Sequence, residues 1–132
     1  MPLVQIDVPA LLAPERVRAL ADAVHDALVA TVGVPPADRF QVIRRHQSGD
    51  LLVDPAYLGI ARGPEAVIVA IAFRRGRTDE QKRALYRAIA AGAALEAELR
   101  PEDVMVVLTE NGPADWSFGR GVAQYAAEAV PA

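Results

Sequence analysis

At 132 residues, 52% of them hydrophobic, the chain is long enough to bury one sizeable core and too short for two ordinary domains. A net charge of −3 leaves nothing to neutralise a run of phosphates, which argues against nucleic acid or an anionic membrane surface as partner. The absence of cysteine excludes a disulfide framework and thiolate chemistry, His25 and His46 belong to no metal-ligand spacing, and no apolar run or basic leader suggests a span or signal, so a soluble cytoplasmic protein without metal or cofactor is expected.

In chain order, LVQIDV (3–8) reads as a short strand. Ahead of it stands Met1-Pro2. A small second residue normally lets the initiator methionine be cleaved, which would leave Pro2 as a free secondary amine. An α-amine has a reference pKa of about 7.7–8.0, which burial lowers and a nearby carboxylate raises. It can therefore serve as a base or as a cationic acid. With Met1 retained, Pro2 is an amide nitrogen and inert. Residues 14–33 carry Val17, Leu20, Ala21, Val24, Leu28 and Val32 at helical spacing, with Pro14 suited to the first turn and Gly33 to the stop. DRFQVIRRH (38–46) follows as a second strand, and residues 47–65 form a turn-rich connector. AVIVAIAF (66–73) is a third strand, residues 78–99 a second helix, and PEDVMVVLTE (101–110) a turn and a fourth strand. The Gly, Pro and aromatic content of residues 111–130 suggests a hairpin or loop excursion and then a short helical tail.

The chain is one unit written twice. At an offset of 65 residues Val4 matches Val69, Ile6 matches Ile71, Glu15 matches Glu80, Arg18-Ala19-Leu20 match Arg83-Ala84-Leu85, and Pro36 and Asp38 match Pro101 and Asp103. Each half is a βαβ unit, about 2–46 and 66–111, within a single domain spanning 1–132. A crossover helix makes the two strands of each unit parallel. The expected fold is α+β: a tandem βαβ repeat forming a four-stranded mixed sheet with both helices on one face. AVIVAIAF is apolar at both alternations and requires cover on both sides, which the two helices cannot provide. Another copy of the chain is the expected cover, in a symmetric homo-oligomer.

Four features could carry chemistry, and each has a bland reading. Met-Pro is a common start with no catalytic meaning. Asp38 lies where the parallel partner of the Pro2 strand begins, yet its repeat partner Asp103 suggests that both aspartates hold turns through backbone amides. Arg74, Arg75 and Arg77 fall between a strand end and a helix start; a solvated basic loop is the ordinary reading. Ends of strands and helix N-termini favour anions, however, and guanidinium groups suit carboxylates, so a small carboxylate-bearing ligand is preferred. Trp116, the only tryptophan, and Phe118 are either core aromatics or an apolar wall over a pocket. His25 reads as a packing or interface residue and Arg120 as structural or solvated.

A chain that starts Met-Pro, repeats βαβ twice and carries arginines after the third strand resembles the tautomerase superfamily, whose members use an N-terminal proline as catalyst. VPPADRFQV, LGIAR, TDEQK, PEDVMVVLTEN and ADWSFGRG resemble, in order and spacing, the malonate semialdehyde decarboxylase branch. The resemblance covers nearly the whole chain, with DWSFGRG its most specific stretch. It implies a homotrimer, a site at Pro2, and roles for an aspartate and two arginines that fall on Asp38 and the RRGR segment. The family pattern has two arginines one residue apart before the helix, whereas this chain reads Arg74-Arg75-Gly76-Arg77. Counting from the strand gives Arg74, and counting back from the helix gives Arg75 and Arg77. Because loops accept insertions and strands resist them, Arg74 and Arg77 are the expected catalytic pair, with Arg75 as a binding residue.

The chemistry that follows is loss of CO₂ from malonate semialdehyde (3-oxopropanoate) to give acetaldehyde. Pro2, kept cationic by Asp38, donates a hydrogen bond to the aldehyde oxygen; the arginines hold the carboxylate, and Trp116 with Phe118 excludes water. A variant has neutral Pro2 forming an iminium. The competing readings are a keto–enol tautomerase, a hydratase or 3-haloacrylate dehalogenase on the same fold, and a non-catalytic trimeric binding protein that keeps Met1.

Overall fold

A computed structural model describes residues 1–126 of the chain. The alternation of Val4, Ile6 and Val8 with Leu3, Gln5 and Asp7 forms β1 (Leu3–Pro9), the first set buried and the second half-buried. The first helix, α1 (Pro14–Val32), has Pro14 in its first turn, where the missing N–H has no intrahelical partner to lose. Gly33 closes it in the left-handed region at φ 72°, donating its N–H to the Leu28 carbonyl. Strand β2 (Gln41–His46) begins three residues later than the alternation suggests. Asp38 N–H is taken by Pro35 O and Arg39 N–H by Ala37 O, so residues 38–40 complete a turn before the ladder opens at Val4 N–H to Phe40 O.

The second half repeats the sequence of elements. Strand β3 (Val67–Arg74) leads to α2 (Asp79–Ala97), which starts on a reciprocal capping box between Thr78 and Gln81. Helix α2 ends two residues before its apolar pattern does, because Glu98 adopts the left-handed conformation at φ 56° and returns its N–H to Ala93 O. A 3₁₀ turn (Pro101–Asp103) then feeds β4 (Val104–Asn111). The two helices occupy residues 14–32 and 79–97, in register with the 65-residue repeat. They approach closely at Gly92, where a Cβ would come within 3.0 Å of the Ala23 methyl.

The sheet order is β2-β1-β3-β4, with β1 parallel to β2, β3 parallel to β4, and β1 antiparallel to β3 at the centre. The helices cover one face, enclosing Val4, Ile6, Val8, Leu20, Leu28, Val69, Ile71, Phe73, Leu85 and Ile89. Opposite them, Leu3, Ile68, Ala70 and Ala72 are only half-buried, and Val42, Met105 and Val107 remain 45%, 47% and 44% exposed. The two-helix layer therefore leaves apolar surface on the open face of all four strands. No helix among the described residues is long and apolar enough to cross a membrane. Residues 119–126 carry turns and bends without helix, and the short helical tail expected at the C-terminus lies outside the described residues.

One polar clamp joins the halves. The Arg16 guanidinium makes a bidentate pair with Glu65 at 2.7 and 2.8 Å, and also donates to Ala97 O at 2.9 Å and Glu98 O at 3.0 Å, satisfying carbonyls at the end of α2. The hydrogen bond from Arg16 holds the Glu65 carboxyl below its usual range, while partial burial opposes the shift. A carboxyl with a depressed folded pKa contributes stability above its unfolded pKa, and the contribution is lost as pH falls through the folded value. Glu65→Gln is therefore expected to lower the melting temperature at pH 7, and the difference from wild type should shrink below about pH 4. Arg16→Ala should cost about 1–2 kcal/mol at neutral pH, since the pair is partly solvated but the bonds to carbonyls are lost too. Thermal melts from pH 3 to 7 measure both.

Candidate active site

The start of β1 lies between two neighbours that arrive from different halves of the chain. Carrying the parallel register of Val4 with Gln41 back by three residues sets Met1 opposite Asp38. Carrying the antiparallel register of Leu3 with Ala72 forward sets Pro2 opposite Phe73 and Met1 opposite Arg74. One end of the sheet thus gathers the chain terminus, an aspartate and an arginine.

Met1 and Pro2 are both buried, and the terminal ammonium on Met1 lies 2.6 Å from Asp38 Oδ2. The Asp38 side chain is 12% exposed, and its Oδ2 is shut off from solvent with no other hydrogen-bond donor among the described residues. Buried carboxylate oxygens are ordinarily supplied with donors, and the terminal ammonium is the one this oxygen has among the described residues. Asp103 behaves differently. It is 3% exposed, accepts the Gly63 N–H at 2.7 Å, and has Arg100 Nε at 3.8 Å. The turn-holding reading therefore fits Asp103, whereas Asp38 makes no side-chain bond to a backbone amide among the described residues.

Beside this end lies a cavity of about 420 Å³, lined by Leu3, Phe40, Ala72, Asn111, Trp116 and Phe118 among others. Trp116 stacks on Phe118 with centroids 5.5 Å apart and planes 5° from parallel; Phe40 and Tyr125 pack on the other edges of Phe118 at 5.7 and 5.2 Å. A 3₁₀ turn (Pro113–Asp115), anchored by Gly112 N–H to Asp115 Oδ2 at 2.7 Å, swings the chain off β4 so that Trp116 faces the cavity. The indole Nε1–H then donates to Asn111 Oδ1 at 2.7 Å. Trp116 and Phe118 thus line a pocket wall, the more specific of their two readings.

The three arginines do not share one environment. Arg74 is exposed and aligned with Asn111 across the β3–β4 ladder. Arg75 donates its backbone N–H to Asn111 O at 2.7 Å, and its guanidinium lies against Gly112, where a Cβ would come within 2.9 Å of Nη1. Arg77 turns back. Its Nη1 donates to Arg74 O at 2.8 Å, its guanidinium lies 5.2 Å from the centroid of the buried Phe73 ring, and burial followed by the charge of Arg74 lowers its pKa. Arg74, Arg75 and Arg77 line a separate cleft of about 360 Å³ with Val32, Gly33 and Gln81. Arg74 links this cleft to the aromatic cavity through its alignment with Asn111.

His25 is buried and holds the Asp38 turn through Nε2 to Pro36 O at 2.8 Å, which makes it a packing residue as its position on α1 suggested. Arg120 is exposed on a turn of loop residues. Phe40 and Asn111 escaped the sequence reading, although Phe40 shares the alternation of Asp38 and Asn111 ends the fourth strand beside the DWSFGRG stretch.

Two family models described as tautomerase enzyme match the chain, over residues 38–119 and 2–61. A protein of Bacillus subtilis (strain 168), probable tautomerase YusQ, is 38% identical over 124 residues, covering 94% of this chain and 98% of its own. Among solved structures, the FG41 malonate semialdehyde decarboxylase inhibited by 3-bromopropiolate aligns with a TM-score of 0.88 and 42% identity, covering 93% of each chain. A second malonate semialdehyde decarboxylase, described with decarboxylase and hydratase activities, aligns with a TM-score of 0.87 and 34% identity over 93% of this chain and 95% of its own. The tandem βαβ sheet, the proline behind the initiator methionine and these likenesses across both halves agree: the chain is a member of the tautomerase superfamily of enzymes.

Proposed function

We propose that this chain, once Met1 is removed, decarboxylates malonate semialdehyde to acetaldehyde and CO₂ with Pro2 as the reacting residue. The observation that carries the reading is the Asp38 carboxylate, its Oδ2 shut off from solvent, free of backbone donors among the described residues, and 2.6 Å from the terminal amine. After cleavage of Met1 the Pro2 nitrogen becomes that amine, and Asp38 favours its cationic form. Cationic Pro2 donates a hydrogen bond to the aldehyde oxygen. Arg74, with Arg75 or Arg77 beside it, holds the carboxylate so that the C–C bond stands out of the carbonyl plane. That bond breaks, its electron pair moves into the carbonyl to give an enolate, CO₂ leaves, and protonation at carbon yields acetaldehyde. Trp116 and Phe118 screen the anion from water. In the covalent variant, neutral Pro2 adds to the aldehyde with loss of water, and the resulting iminium accepts the electron pair; borohydride trapping during turnover distinguishes the two.

A second reading is keto–enol tautomerisation with neutral Pro2 as base, favoured by the probable tautomerase relative. The test is to incubate processed protein with malonate semialdehyde and, separately, with an enolisable 2-oxo acid. Acetaldehyde released in step with substrate loss supports the decarboxylase. Enolisation without acetaldehyde supports the tautomerase. The assembly proposed is a homotrimer that covers the open sheet face, and sedimentation equilibrium is expected to give three times the chain mass. A monomer at micromolar concentration would remove this part of the proposal.

A further inference from the structure

Asn111 is fixed in one orientation by chemistry alone. Indole Nε1–H is a donor and never an acceptor, so the atom of Asn111 that meets it at 2.7 Å must be the carbonyl Oδ1. The amide nitrogen Nδ2 is then left on the other side, and among the described residues its two hydrogens have no partner. Asn111 lines the aromatic cavity, and its Cα is the register partner of Arg74 on the same open face of the sheet. Adjacent strands stand about 4.8 Å apart, so the amide donor and the Arg74 guanidinium can converge on a single carboxylate.

Resting on the carboxylate-binding reading of this site, we infer that Asn111 is a substrate-binding residue whose Nδ2 donates to the substrate carboxylate beside Arg74. Trp116 sets the direction of that donor by occupying Oδ1. A neutral amide here supplies a directed bond at the carboxylate without adding another charge to the Arg74, Arg75 and Arg77 cluster. It also ties the apolar wall to the anion site, because the indole that excludes water is the group that aims the donor.

The test is a double-mutant cycle read by calorimetry with 3-hydroxypropanoate, which keeps the carboxylate and the C3 oxygen but has no carbonyl through which to lose CO₂. Asn111→Leu, similar in shape but without the amide, is expected to weaken binding at least tenfold. A smaller but still measurable loss is expected in a Trp116→Phe background, where the indole no longer aims the donor and there is no indole left to brace. If the loss disappears in that background, Asn111 acts only by bracing Trp116 and the inference is overturned. Should Asn111→Leu fail to fold, Asn111→Asp serves instead, because its carboxylate still accepts the indole N–H but donates nothing; an affinity equal to wild type would overturn the inference. Absence of binding to the wild type overturns it as well. Binding by the wild type without acetaldehyde formation from malonate semialdehyde sinks the decarboxylase reading alone, and the cycle still decides Asn111.

Discussion

Asp38→Asn should abolish most turnover while leaving the melting temperature close to wild type, and Asp103→Asn should do the opposite. The two aspartates occupy equivalent places in the repeat, so the comparison holds sequence context nearly constant. Asp103 is buried with a backbone donor at 2.7 Å and Arg100 nearby, and weakening that set is expected to cost about 1–3 kcal/mol of stability. Asp38 accepts no such bond among the described residues, and its loss removes only the partner of the terminal amine. On the proposed mechanism Pro2 loses the partner that favours its cationic form, and the fall in kcat/KM reaches roughly 10²–10⁴, the usual contribution of a positioned acid, at a pH where Pro2 has become neutral. The pH profile carries the sign. With cationic Pro2 as the working form, activity is lost as pH rises through the amine's pKa, and without Asp38 the loss should occur at lower pH. A neutral Pro2 acting as base would instead gain activity over the same interval. Measuring kcat/KM against pH for wild type and Asp38→Asn separates these cases, and an unchanged profile would make Asp38 structural.

The second large effect concerns the chain terminus. Protein that keeps Met1 should be inactive in proportion to the fraction unprocessed. In that form the methionine amine occupies the position beside Asp38, and Pro2 N is a tertiary amide with neither a proton to donate nor a lone pair to react. Met1 is also 5% exposed, so its side chain is packed at the head of β1 rather than held out in solvent. Intact-mass spectra of preparations with different degrees of processing, plotted against turnover per chain, should give a line through the origin. Full turnover by protein of unprocessed mass would end the proline mechanism.

Much of the architecture is legible in the residues because its causes are local. Pro14 and Gly33 bound α1, Thr78 opens α2, and the alternation of Val4, Ile6 and Val8 selects a buried face, all through contacts within a few residues. The offset that equates Asp38 with Asp103 is likewise a property of the string, and it makes the two halves βαβ units before any coordinate is known. Where local signals stop short, the boundaries moved: residues 38–40 close a turn ahead of β2, and Glu98 ends α2 ahead of its apolar pattern.

By itself the sequence determined the repeat, its elements, the uncovered face, and Pro2 with Asp38 and the RRGR segment as candidates. Tertiary structure alone decided where those candidates sit relative to one another. The antiparallel pairing of β1 with β3 brings Arg74 to the chain terminus across more than half the chain, and parallel pairing with β2 brings Asp38 there from the other side. It also separated two aspartates that the repeat makes equivalent, turned Arg77 back over Phe73, and aligned Asn111 with Arg74 under Trp116. Helix and strand propensities act between near neighbours, whereas a hydrogen-bond partner depends on strand register between segments that meet only when the sheet has formed.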